Sequence, residues 1–193
     1  MKKVFLIALF LPLLSFSQFD DFNAKQAKLD KNLMTGLGSW AGLNLVAGGV
    51  GWATAPNEEM KRFHQMNVMW NTVNFALAIP GYLKARKPVN GLSLNETLKQ
   101  QRLKETVFLV NAGLDIAYIS GGLLLKKEAK YNSTNKDMYN GFGNALILQG
   151  GFLLVFDWFA FALHRKNSKN KFEKILNKVD LSDNGIGLKY RIL

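Results

Sequence analysis

The sequence predicts an all-α membrane protein: a four-transmembrane-helix bundle of two antiparallel hairpins, with short interfacial helices beside it. Three observations predict this. Phe63–Leu83 runs 21 residues without a Lys, Arg, Asp or Glu, long enough to cross a bilayer core as a helix. It nevertheless carries His64, Asn67, Asn71 and Asn74, which fall within an arc of about 80° on a helix. Such a stripe cannot face lipid and must face other helices or a wet cavity. Finally, apolar runs alternate with basic connectors, so 48% hydrophobic content coexists with a mean hydropathy of −0.01 and a net charge of +11.

Met1–Ser17 has the form of a secretory signal. Lys2 and Lys3 precede the apolar run Val4–Phe16, and Ser15 and Ser17 are the small residues before a cut at Gln18. Residues 18–36 are polar with Phe22, Leu29 and Leu33 interspersed, which predicts a short interfacial helix started by Asp20 and Asp21 through the helix dipole.

The transmembrane domain is expected over residues 37–165. In the first span, Leu37–Ala55, Gly38 and Gly42 allow close backbone approach, and Trp40, Asn44, Gly48 and Gly51 share one face, with Asn44 able to bond across it. Pro56 stops this helix, and the short loop to Arg62 makes a hairpin with the second span. Pro80-Gly81 is expected to kink or end the second span. Asn90-Gly91 marks a turn, after which Ser93–Lys104 begins a helix running into the third span, Thr106–Leu125. There Asn111, Asp115 and Tyr118 lie within about 60°. Tyr139–Leu163 is the fourth span, with Asn144, Gln149 and Asp157 inside and an aromatic end at Trp158, Phe159 and Phe161. The basic tail, residues 166–193, has an amphipathic helical start, a turn at Asp183-Asn184-Gly185 and an alternating strand pattern from Leu188 to Ile192. A weak duplication aligns Leu43-Asn44 and Gly51 with Leu114-Asp115 and Gly122.

Asn44, Asn71, Asn74, Asp115 and Gln149 all fall within about 4 Å of their spans' midpoints. A lone carboxylate at that depth costs several kcal/mol, so Asp115 is either protonated or satisfied by amide donors such as Asn71 and Asn74. Two roles follow. The amides can act as interhelical glue, or Asp115 can be a proton- or cation-linked site, which with four spans requires an oligomer. Asp157, nearer a boundary, reads as interfacial. His64 and His164 lie at opposite membrane faces and cannot share a haem or zinc.

Without cysteine the chain has no disulfide, thiol redox or Cys-zinc chemistry. It has no HExxH, GxSxG or Walker loop and no paired acidic metal motif, so neither catalysis nor a cofactor is expected. Its Lys and Arg sit beside the apolar runs, which points to anionic lipid headgroups rather than nucleic acid as partners, with a second copy or another membrane protein as further partner. The two tails and the Lys84–Lys104 connector carry 17 Lys and Arg against 6 on the two short loops. That asymmetry places both termini in the cytoplasm, whereas a cleaved signal places the mature amino terminus outside.

The segments LLSFSQ, FHQMNVMWNTVNF and NAGLDIAYISGG resemble those of an uncharacterised family of small four-span membrane proteins from Bacteroidota-type bacteria, over roughly residues 20–165. That family has no assigned activity to carry over, and the location expected from the spans and the signal is the bacterial inner membrane. The resemblance implies that His64, Asn67, Asn71, Asn74, Asn111 and Asp115 belong to the family's defining pattern.

Overall fold

The computed structural model describes residues 2–87, 90–176, 179–182 and 185–188, with side chains over 19–87 and 90–170. The fold is all-α: α1 (Lys2–Thr54), α2 (Glu58–Ala85), α3 (Leu94–Glu128) and α4 (Lys136–Leu176). A short antiparallel pair, β1 (Val179–Ser182) and β2 (Gly185–Leu188), follows in the tail, with Val179 opposite Leu188. The expected turn residues Asp183 and Asn184 and the strand beyond Leu188 lie outside the described residues.

Local chemistry explains the helix boundaries. Asn57 caps α2 by accepting from the Met60 N–H at 2.9 Å, and Glu58 and Glu59 oppose the positive end of the helix. Ser93 and Glu96 form a reciprocal capping box at the start of α3. These same bonds hold the Glu96 carboxyl below its ordinary range, first through the Ser93 hydroxyl. Gly91 takes φ +72, a conformation that suits glycine, and turns the chain into that cap. Its N–H donates to Asp20 Oδ1 at 2.8 Å, fastening the α2–α3 connector to α1.

Three expectations change. Residues 18–36 are the middle of one continuous helix, not a separate interfacial one, so Asp20 and Asp21 start nothing and Asp20 instead serves the Gly91 turn. Pro80 does not end α2, which runs on to Ala85. Proline removes only the bond to the Ala76 carbonyl, and the helix is packed on both sides of that point. The amphipathic start of the tail is the continuation of α4 to Leu176.

α1 packs antiparallel on α2, α3 antiparallel on α4, and α2 lies beside α4. α1 and α3 are the outer members and meet chiefly through side chains near the amino half of α1. Glycines set the close approaches. The Gly122 and Gly143 backbones are so near that a Cβ on either would stand 2.7 Å from the other's carbonyl oxygen. A Cβ on Gly51 would overlap the His64 ring, and one on Gly141 would meet the Glu59 carbonyl at 2.5 Å.

The bundle buries amides and carboxyls beside a small apolar core of Leu33, Leu37, Phe108 and Leu153, and leaves large apolar side chains exposed. Leu43, Val46 and Val155 are about 70% exposed, while Asn71 and Gln149 are at most 1% exposed. Among the described residues, two helices, over Leu94–Glu128 and Lys136–Asn170, are long and apolar enough to cross a membrane, with mean hydropathies of 1.6 and 1.9 over their most apolar windows. Residues 19–54 of α1 and the whole of α2 fall short on that measure, because glycine and tryptophan dilute the first and buried amides the second.

The glycine contacts give a paired prediction. Gly122→Ala should lower stability by about 1–3 kcal/mol, because its methyl meets backbone that cannot move alone. Gly121→Ala, which faces open space, should be neutral or slightly stabilising. Thermal melts of the two variants in one detergent check this; equal melting temperatures would refute the close α3–α4 crossing.

Candidate functional site

Two polar centres occupy the bundle. The first is built around Gln149 on α4. Trp40 Nε1 on α1 can only donate, and it lies 3.0 Å from Gln149 Oε1. That fixes the amide's orientation. Gln149 Nε2 then donates to Asn67 Oδ1 on α2 at 2.8 Å and to Asn44 Oδ1 on α1 at 3.3 Å. Three helices are joined through one side chain. Asn44 Nδ2 returns to its own helix at the Trp40 carbonyl, 2.9 Å away. Asn71 Nδ2 donates to the Asn67 carbonyl at 2.9 Å, and Asn74 Nδ2 reaches Asn71 Oδ1 at 3.5 Å. Trp40 also stacks on Phe152 at 3.9 Å, which covers the centre on one side.

Asp115 does not belong to this amide group. Its carboxyl lies near that of Asp157 inside the bundle, and its Oδ2 is buried without a partner. Asn71 and Asn74 donate within α2 rather than to Asp115. Asp157, expected to reach water near the membrane boundary, is 5% exposed inside the bundle, near Asp115 at 2%. The antiparallel stagger of α3 on α4 brings Asp157, away from the middle of its own apolar run, level with the middle of α3.

The remaining expected site residues have separate places. His64 is half-buried and packs its ring against Gly51. Tyr118 meets Trp70 edge-on at 4.7 Å, linking α3 to α2. Asn111 is half-buried on α3. Asn144, expected within the span, lies nearer the loop end and bonds Lys126 at 2.6 Å and Glu59 at 3.3 Å. Among the described residues, no group of three or more His, Asp and Glu is placed to hold a metal.

The second centre ties the amino half of α1 to α3 and α4. Its focus is His164, which is fully buried and stacks on Phe108 at 5.4 Å. The hydrogen-bond directions follow from the fixed acceptors. Gln101 Nε2 donates to Glu105 Oε1 at 2.6 Å and to the His164 carbonyl at 3.0 Å. Gln101 Oε1 therefore accepts from Gln26 Nε2, which turns Gln26 Oε1 to His164 Nδ1, 2.6 Å away. His164 Nε2 lies 3.1 Å from Asp30 Oδ1, within ion-pair distance but off the straight line of a hydrogen bond. Both ring nitrogens thus face acceptors; an imidazolium serves both and a neutral ring serves one. Lys104 pairs with Asp30 at 2.5 Å, Arg165 with Glu105 at 3.0 Å, and Asn23 with Thr97 at 3.2 Å.

Sequence reasoning missed this centre. Glutamines and a histidine spread over positions 26, 101 and 164 have no common spacing. The available signal was polar residues at helical intervals on α1, Asn23, Gln26 and Asp30, which alternate with the apolar face.

The region matching a known family model contains the first centre whole. That model, a family of unknown function (DUF6992), matches residues 36–158. The chain belongs to this family. No curated protein and no solved structure matches the chain. The DUF6992 region begins after Asp30 and ends before His164, so it includes Gln149, the Asp115–Asp157 pair and the glycine crossings but only the α3 side of the second centre. It is shorter at both ends than the stretch expected from resemblance.

The Asp30 environment sets a pH dependence. Burial opposes its charge, but His164 and Lys104 beside it prevail and hold the carboxyl below its ordinary range. The folded state therefore binds this proton less readily than the unfolded state. Its contribution to stability is complete above the ordinary carboxylate range and is lost as pH falls through the lowered value. Melts of the protein and of Asp30→Asn should differ near neutrality, and the gap should shrink as pH falls below the ordinary carboxylate range; a gap that stays constant under acidification would refute the charged lock. Separately, Gln149→Leu should cost about 1–3 kcal/mol in the same melts by orphaning the Trp40 N–H and two amide oxygens.

Proposed function

We propose that this chain is a non-catalytic, multi-pass protein of the bacterial inner membrane, all four helices crossing the bilayer core, whose buried amides fix how those helices pair. The buried amides and the apolar exterior carry this reading. A bundle with amides and carboxyls inside and leucine, valine and phenylalanine outside is suited to lipid and ill suited to water. Only 22% and 28% of the most apolar windows of α3 and α4 are buried, unlike the core helices of a soluble protein. At 28 residues, even the shortest complete hairpin member, α2, spans about 42 Å, against a hydrocarbon core of about 30 Å. α3 and α4 then protrude on the side of the second polar centre.

The amides of α1 and α2 do not argue against spanning. Gln149, Asn67 and Asn44 satisfy one another, so none is presented to lipid. Bonds of this kind contribute about 0.6 kcal/mol each in membranes. Their main effect is specificity, because any other rotation of α2 would expose three asparagines.

Reporter fusions test the crossing number. Fusions after Thr54 and after Leu193 should report opposite sides of the membrane, and the chain should resist alkaline carbonate extraction. The same side for both, or release by carbonate, would refute the four-span reading.

One observation favours a second reading, proton- or cation-linked transport by an oligomer. Asp115 and Asp157 form a buried carboxyl pair with one unpartnered oxygen. Asp115→Asn keeps a donor toward Asp157. In proteoliposomes, the structural reading expects unchanged folding and no coupled flux in either form. Coupled flux in the native form that the variant abolishes at unchanged melting temperature would establish transport instead.

A further inference from the structure

We propose that the cleft between the amino half of α1, the end of α2 and the start of α3 binds one anionic phospholipid, its headgroup toward the helix ends and one acyl chain toward the bilayer. This assignment rests on the membrane reading above.

The cleft has a volume of about 360 Å³, at the lower end of the range for small-molecule sites. It exists because α1 and α3 stand apart there and are bridged by side chains. Asn23 with Thr97 and Gln26 with Gln101 form that bridge, and all four are buried. The volume equals roughly a dozen waters. It suits a phosphate, a glycerol unit and the first methylenes of one chain, so the rest of the lipid must remain in the bilayer.

The lining changes character along its length in the same sense on both walls. On α1 it passes from Asn23 to Met34, and on α3 from Thr97 to Phe108. Each is a step of 11 residues, or about 16 Å along the helix. At the inner end, Gly81 and Val107 continue the hydrocarbon surface. The walls run from neutral amides and a hydroxyl, through the level of Asp30, Lys104 and Lys84, to hydrocarbon, and a phosphatidylglycerol has the same order over a similar distance: glycerol hydroxyls, charged phosphate, acyl chain. Leu103 and Val107, at the lip, are 63% and 45% exposed, giving a chain an apolar path out of the cleft.

Charge selects the headgroup. Lys104 lines the α3 wall with Asp30 as its partner. Lys84 lines the opposite wall and has no acidic partner among the described residues. Lys84 therefore supplies an uncompensated positive charge near the phosphate. A choline or ethanolamine headgroup would bring its own cation to the same place, whereas phosphatidylglycerol would not.

Native mass spectrometry of the full chain released from mild detergent tests this, with phosphatidylglycerol, phosphatidylcholine of the same acyl chains, and inorganic phosphate as separate additions. The expected result is one retained phosphatidylglycerol, retention of phosphatidylcholine weaker by about tenfold, and no retained phosphate. Lys84→Glu should remove the preference between the two lipids. Ala27→Phe, which fills the cleft from α1, should remove retention of both while melting remains cooperative. Equal retention of the two lipids by the native chain, or undiminished phosphatidylglycerol retention in both variants, overturns the cleft assignment alone. Retained phosphate without lipid also overturns it. Recovery of the chain in the soluble fraction without detergent overturns the membrane reading itself.

Discussion

The structure depends on satisfying polar groups internally while the exterior stays apolar. Gln149 meets that constraint with one side chain. Its oxygen takes the only hydrogen that the Trp40 indole can give, and its two amide hydrogens go to different helices. Because the indole fixes the direction of the first bond, the directions of the others follow. α1, α2 and α4 are thus locked in rotation about their axes, and α3 is added through its own crossing with α4.

That crossing uses a different device. Gly122 and Gly143 remove side chains where α3 and α4 touch, which lets the backbones come together and keeps the seam close enough for the Asp115 and Asp157 carboxyls to approach each other. The carboxyl pair therefore depends on the glycines several turns away. On the other hairpin, Gly51 admits the His64 ring, so a residue that reads as part of a polar stripe serves mainly as packing. The asparagines beyond it do the bonding.

The two polar centres differ in kind. The Gln149 centre is made of neutral amides and an indole, as suits a place with no water to screen charge. The His164 centre is rich in ions: Asp30, Lys104, Glu105 and Arg165 surround two glutamines. It lies where three helices have run past the most apolar part of the bundle. The family region includes the first centre and only part of the second. The outer clamp and the cleft beside it thus draw on residues that flank the shared domain.

The sequence by itself determined the helices and their inward faces. An uncharged run with asparagines at intervals of three and four admits one buried side, and Asn67, Asn71 and Asn74 occupy it. Short loops dictated two hairpins, since helices joined by a few residues must be neighbours. Only the tertiary structure decided which polar groups meet. Hydropathy places a residue at a depth along its own helix, but partners are set by stagger and rotation between helices, and those arise from contacts distant in sequence. This is why Asp115 finds Asp157 rather than Asn71, and why Gln26, Gln101 and His164 converge although nothing in their spacing relates them.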